Sequence, residues 1–510
     1  MKLTSALVLP LSILVSSAAD PALIAADIPP KRSVAIVDFS TAIRTWDGFG
    51  LNYIEAGHTN DPVKDYEDYG GFSRLSETQR QKVMDLLHGS LDSSKPDEGL
   101  QIGLHKIFLE PHHQSALDAP FVGASASTPM TRYFLQETLK RRKARGAGLE
   151  IVTTYYGAPA WATARILPHW RDPHPERLTA LAGYMANWVE FLRSDMIGAT
   201  YAPTARVRYV SVTNEGEDFT RWNDDGSVKP GKDYNLYWSS KKLAAFLPVL
   251  RTELDRQGLS DLGIMPCETS GWDGLEEAHG DKIAATLLAD PQAMKSIGII
   301  GGHSFGASGD PGARAVAAFR EKLGPQLRAW TTSHDWRKGD TASIESIRSQ
   351  IYLIGVTGVI TWAATKLPSE WQRYTGRPPN EQCCVLVKAD GTFVIQSGYY
   401  FYKQVSRAGQ PGMSVATVKH GTQGSIRLIA FGRNGTIHRD AFVVINTGKT
   451  SAASEIVLQG TSATRWSPFR TRDALAEGEA FKPLGEMTGE PGGILRYDAP
   501  PKSVTTFFAQ

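Results

Sequence analysis

Three cysteines in 510 residues are too few to staple a chain of this size, so its stability must come from a hydrophobic core and not from disulfides. Cys267 stands alone, Cys383 and Cys384 are adjacent, and without a CxxC spacing no thiolate frame for zinc is offered. A surplus of either charge is missing too. Fifty-five basic and 53 acidic residues leave a net charge of +2, which gives no electrostatic reason to expect nucleic acid or an anionic membrane as partner. No uninterrupted apolar run of about 18 residues follows the N-terminus, so no segment reads as a membrane span. No strand leads into a GxGxxG or GxxxxGK loop, and a nucleotide crevice therefore lacks a motif. Glu110, His112 and His113 in "FLEPHHQ" do not have the HExxH spacing, and "NDPVKDYEDYGG" does not have that of an EF-hand. None of these stretches calls for a metal or another cofactor.

What is present begins with "MKLTSALVLPLSILVSSAAD", one lysine before a short apolar run and then small residues, the pattern of a secretory signal over residues 1–19. Residues 20–32 read as a linker and 33–45 as a strand. From 46 to about 385, short apolar strands alternate with segments of helical period such as "RLTALAGYMANWVEFLRSDM". Eight strands in that span predict a (β/α)8 barrel, with a doubly wound open sheet as the alternative. Beyond 385 the chain turns to short strands and turns without a long amphipathic helix, as in "TFVIQSGYYFY" and "KSVTTFFAQ", which predicts a β-sandwich over 386–510. Asn434-Gly435-Thr436 matches a glycosylation sequon, but Asn-Gly between two strands is first a hairpin turn.

The C-terminal ends of barrel strands carry the active site in this architecture. Those positions hold Asn52, His105, Trp161, Asn214, Glu215, Glu268, His303, Trp330, His334, Asp335 and Trp362. Amides, acids and indoles together suit a sugar, whose hydroxyls need hydrogen-bond partners while its apolar face stacks on aromatic rings. His105 and Lys106 add polar groups to the second strand, where core packing is an equal reading. Glu217 and Asp218, just beyond Glu215, read as a solvated loop.

The order "WDGFG", "YYGAPAWAT", "VTNEGE", "GGHSFG", "AWTT", "ITWAA", then "YYFYKQVSRAGQPGMSV", "AFVVINTG" and "KSVTTFF", resembles glycoside hydrolase family 30 of the clan A barrels over nearly the whole chain after the signal. The resemblance implies that the strand before Trp46 joins the sandwich, that Glu215 is the general acid/base, and that Asn214 holds the hydroxyl beside the reacting carbon. It implies an enzyme acting on an oligo- or polysaccharide with β-linkages, and the signal pattern predicts that this enzyme is secreted or periplasmic. A glycosidic oxygen is a poor leaving group and needs a carboxylic acid to protonate it as the bond breaks.

A retaining glycosidase also needs a second carboxylate about 5–5.5 Å from the first. The resemblance implies a Glu at the end of the seventh strand, and there "LRAWTTSHDW" has Ser333, with His334 one place on. Three readings stay open. Asp335 serves as nucleophile or base; Glu268 activates water from the longer separation of an inverting enzyme, with His334 or His303 assisting; or hydrolysis is lost and the cleft only binds carbohydrate.

Overall fold

The computed structural model describes residues 32–510 apart from 56–65, 93, 95–98, 126–127, 165–171, 222–228, 230–234, 306–308, 336–338, 377, 380, 421–425 and 474–478. The proposed signal and most of the linker lie outside the described residues.

The strands β2 (Gly48–Asn52), β3 (Leu104–Leu109), β4 (Leu149–Tyr155), β5 (Ala205–Ser211), β6 (Gly263–Met265), β7 (Glu268–Thr269), β8 (Ile300–His303), β9 (Ala329–His334) and β10 (Gly358–Thr361) follow β1 (Ser33–Thr45). β2 to β10 form one parallel sheet in the order β6-β5-β4-β3-β2-β10-β9-β8-β7. β6 and β7 are the two halves of the fifth barrel strand. Across that break the sheet is drawn closed by bridges from Ile264 to Ile297 and from Asn214 to Glu268. The expected eight-stranded barrel is present, and the open sheet is not.

Period-two alternation sorts each strand between two cores. Leu104, Val152, Tyr209, Met265, Ile299, Trp330 and Ile360 fill the barrel interior. Intervening residues such as Phe49, Ile107 and Ile151 pack outward against helices, among them Glu77–His88, Pro129–Ala144 and Ser240–Arg256. Glu77–His88 starts where Ser76 and Gln79 form a capping box, and buries Val83, Met84 and Leu87. β2 has room for its neighbours only because position 50 is glycine: a Cβ there would stand 2.6 Å from the Leu104 carbonyl oxygen.

After a small sheet of β11 (Thr365–Lys366), β12 (Val385–Val387) and β13 (Phe393–Ile395), the chain enters a second, curled sheet. Its members β14 (Ser414–His420) through β22 (Ser503–Ala509) take in β1, which pairs antiparallel with β14 and parallel with β17 (Ala452–Gln459). Trp466, Phe442 and Phe507 centre its core, the two phenylalanine rings stacked at 4.7 Å. Asn434 and Gly435 have φ of 47° and 74°, the left-handed pair of a type I′ turn, closed by Thr436 N–H to the Arg433 carbonyl at 2.8 Å. One sequence expectation fails. "SGYYFYKQVSRA", read with the strands, is the helix Ser397–Ala408, because Tyr399, Phe401, Tyr402, Val405 and Ala408 recur at helical spacing and bury one face. Among the described residues no helix is long and apolar enough to cross a membrane.

Candidate active site

Above the apolar floor of the barrel the inward positions change character. On β3 the inward series runs Leu104, Lys106, Phe108, and on β4 Val152 is followed by Thr154. Lys106 is fully buried, its ammonium 2.5 Å from Glu268 Oε2 and 3.0 Å from Asn214 Oδ1. The Thr154 hydroxyl donates to Glu268 Oε1 at 2.6 Å. His303, at the end of β8, lies between two acids, Nδ1 2.9 Å from Glu215 Oε1 and Nε2 3.2 Å from Glu268 Oε2. Lys106, Glu268, His303 and Glu215 therefore form one chain of ionisable groups drawn from three strands and the turn after β5.

Burial alone would push the Glu268 carboxyl up, but the Lys106 ammonium and the His303 hydrogen bond outweigh it and hold the group well below the usual carboxylate range. For His303 burial opposes the charge, yet hydrogen bonds to Glu215 and Glu268 prevail and raise it above 6.5. Burial lowers Lys106 despite Glu268.

Glu215 adopts a left-handed backbone, φ 52°, costly for a residue with a Cβ. Its amide donates to the Glu268 carbonyl at 2.7 Å, while the Glu268 amide donates to the Thr213 carbonyl at 3.0 Å. The strand break after Met265 thus fixes the turn that aims Glu215. Glu217 is buried as well and does not sit in solvent as expected: its Oε1 accepts the Ser270 amide at 2.7 Å. Asp218 folds back on Thr220 and lies 3.3 Å from His279 Nε2, on the loop side of Glu215.

Asn52 pairs in register with Lys106, is fully buried, and neither atom of its amide has a hydrogen-bond partner among the described residues. A buried amide without partners at the mouth of a barrel is prepared to meet a ligand's hydroxyls. Beside it an aromatic cluster gathers Phe108, Tyr156, Tyr69 and Trp371, with Trp362 half-buried against it, 5.8 Å from Trp371. The Lys366 ammonium stands 5.4 Å over the Trp362 ring, has no hydrogen-bond partner among the described residues, and is lowered by burial to about 8, with the Asp335 charge among the forces that resist. Trp161 sits on the rim, its indole N–H donating to the Gln114 carbonyl at 3.1 Å.

Three sequence candidates point elsewhere. His105 alternates outward and stacks on Phe134 of the helix Pro129–Ala144 at 5.4 Å, where burial drives it down to about 3. Trp330 belongs to the apolar floor, edge-on to Tyr209 at 5.0 Å, its indole N–H on Asp47 ahead of β2. His334 turns to Gln350 (3.2 Å) and Ser304 (3.1 Å) behind the strand, and burial lowers it to about 4. The seventh barrel strand ends with buried Ser333 and then half-buried Asp335, whose amide donates to Ser304 Oγ at 2.9 Å.

Sequence reading passed over Thr154 and Lys366, which lie in no motif; inward alternation after Val152 could have flagged the first. It also took a GxSxG pattern to be absent, whereas Gly302-His303-Ser304-Phe305-Gly306 is one. Ser304 does meet His334, but the next amide, Phe305 N–H, is spent on the Ser270 carbonyl, and His334 Nε2 has no hydrogen-bond partner among the described residues. Among the described residues this pair therefore lacks the oxyanion donor and the orienting acid of a serine hydrolase.

No protein-family model and no curated protein sequence matches the chain. Solved structures do. A family 30 endoxylanase from Clostridium papyrosolvens is 16% identical with a TM-score of 0.63, over 94% of this chain and 100% of the other. A family 30 subfamily 8 xylanase from Clostridium acetobutylicum is 16% identical with a TM-score of 0.66, over 94% and 99%. The endo-β1,6-glucanase BT3312 is 16% identical with a TM-score of 0.63, over 93% of each. The chain shares with these glycoside hydrolases the barrel and the attached sheet.

Proposed function

We propose that the cleft at the barrel mouth takes a β-linked glycan or glycoside, and that the chain hydrolyses it with Glu215 as the proton donor. The observation that carries this reading is the fixed carboxyl of Glu215, aimed by a strained turn and hydrogen-bonded to His303 beside an amide and an aromatic wall that have the chemistry of a sugar site. For the second carboxylate, Asp335 is the better candidate. Glu268 is fully buried, and both its oxygens are already engaged, Oε2 by Lys106 and His303 and Oε1 by Thr154, which suits a fixed counter-charge better than a base that must reach a water. Asp335 is half-buried at the end of the seventh strand, near the charge of Lys366. No cofactor enters this scheme. Export from the cell suits a polymeric substrate, and the first nineteen residues support it.

A second reading has its own observation. Ser333 stands where the resemblance implies a nucleophilic Glu, and a barrel without that acid could keep its cleft for binding alone. The experiment is a hydrolysis screen of the purified chain against β-glucans, xylans, β-1,6-galactans and aryl glycosides, with the anomer of any first product followed by NMR. Turnover with retention supports Glu215 and Asp335; inversion returns Glu268 to consideration. Binding of a glycan without turnover overturns the hydrolase reading in favour of the binding protein.

A further inference from the structure

His303 has an acid on each of its ring nitrogens. An ionised carboxylate oxygen only accepts hydrogen bonds, so each of the two contacts to the ring requires a proton of its own. A neutral imidazole carries one N–H. With acids on both ring nitrogens, the cluster must hold one proton more than a neutral ring and two carboxylates would: the ring is an imidazolium, or one acid is protonated.

The surroundings decide which acid stays ionised. Glu268 Oε2 is also 2.5 Å from the Lys106 ammonium and Oε1 accepts from Thr154, so its charge is fully compensated where it lies. Glu215 is slightly exposed at the cleft, and its contact to His303 is the shorter of the two, 2.9 Å against 3.2 Å. The extra proton therefore belongs to the bond between His303 Nδ1 and Glu215 Oε1. The groups that face the ring are Glu215 from the turn after β5, Glu268 from β7 and Lys106 from β3. Phe305 stands edge-on at 5.4 Å, and His334 on the next strand is engaged with Ser304 and Gln350. Lys106 opposes a charge on the ring, and the two carboxylates favour it.

We propose that His303 is the proton reservoir of Glu215, a positioning residue that stores the acid's proton on Nδ1 and hands it over when a substrate oxygen arrives. The proposal rests on the assignment of Glu215 as acid. In the step, the Nδ1–H bond breaks and an O–H bond forms on Glu215 Oε1. The imidazolium becomes a neutral ring that keeps its Nε2–H on Glu268. The new O–H turns about the carboxyl C–O bond to the glycosidic oxygen and is transferred as the C–O bond of the glycoside breaks. The water that completes hydrolysis supplies one proton to Glu215, and the pair is restored. The cleft is thus loaded with an acid although its resting carboxyl is ionised, which replaces the apolar surroundings that usually keep such a carboxyl protonated.

The test is nitrogen NMR of the full chain labelled at the histidine rings, compared with Glu215→Gln. The expected result is a His303 ring with protons on both nitrogens at pH 7, and a titration midpoint at least about tenfold lower in proton affinity once the charge of Glu215 is removed. A ring with a single N–H at pH 6, or one whose titration is the same in both proteins, overturns the proposal. Kinetics give a second readout where a substrate is turned over. His303→Gln should lose on the order of 10²-fold in kcat on glycosides with poor leaving groups and much less on activated aryl glycosides, which need no proton. Equal losses on both would mean that His303 only shapes the cleft. The NMR result needs no turnover, so an empty hydrolysis screen with a doubly protonated ring removes the hydrolase reading and leaves the shared proton standing.

Discussion

Glu268 and Asp335 are both acids at the barrel mouth, and their surroundings differ. Glu268 is locked to Lys106, and removing one member of a buried pair leaves the other uncompensated, at roughly 3–5 kcal/mol. Glu268→Gln should therefore lower stability by about that much in urea unfolding. Asp335→Asn should leave the unfolding midpoint in place and reduce kcat by about 10³-fold or more if it is the second carboxylate. Equal mild losses of activity from both would reject both acids. Lys366→Met should hold or raise stability, because a buried ammonium without a hydrogen-bond partner is removed, and weaken glycan binding in the same cleft. At this scale the sequence is legible where a single position is at stake, as in the placement of Glu215 just beyond a run of β-formers that forms β5. The Lys106–Glu268 contact was not legible: 162 positions separate the two, and only closure of the barrel brings β3 and β7 to the same ring of side chains. The outward turn of His105 was readable, since Leu104 and Lys106 on either side take the interior.

The helix Ser397–Ala408 shows how an element can be misread and still be central. Its tyrosines and phenylalanine are good strand formers, and propensity argued for β where the period of the buried face argued for α. Tertiary packing decided the matter. Tyr402 reaches into the barrel wall, its hydroxyl 2.7 Å from the Gly50 carbonyl and 3.1 Å from the Gly50 amide. Two residues on, Gln404 bonds the other sheet through Thr471 at 2.9 Å and Thr506 at 3.1 Å. The helix is thus buried against both bodies. Calorimetry should show the barrel and the curled sheet melting in a single transition. Tyr402→Phe should cost about 1–3 kcal/mol, the penalty for buried Gly50 groups left unpaired, while keeping that single transition. Two resolved transitions in the unaltered protein would contradict this coupling.

For the whole molecule the buried charges set a preferred pH. Glu268, held below 4.5, contributes stability that is complete above 4.5 and is lost as the pH falls toward its folded value. His303, raised above 6.5, contributes fully below 6.5 and loses its contribution as the pH rises through its folded value. Glu55, pushed up to about 8 chiefly by burial, adds a cost that grows from pH 4.5 to 8. Burial holds His105 at about 3 and His334 at about 4, so both cost stability as the pH falls below 6.5. Urea midpoints should therefore be highest near pH 6.5 and fall toward pH 8; a maximum at pH 8 or above would mean that these groups do not govern stability. The architecture at this scale was the most legible part of the sequence, because strand–helix alternation repeated eight times leaves few other folds. The curl of the second sheet around β1 was reached through the resemblance, since pairing between residue 35 and residues 420 and 456 leaves no local trace.

Glu215 as the proton donor is what the proposed hydrolysis depends on most. The most direct measurement compares the unaltered chain with Glu215→Gln on the glycan turned over best in the screen, alongside the unfolding midpoint of each. Turnover should fall by about 10³-fold or more while the chain stays folded, its midpoint lowered by about 1–3 kcal/mol through the lost partner of His303, and glycan binding persists. Turnover that survives the exchange would contradict the assignment.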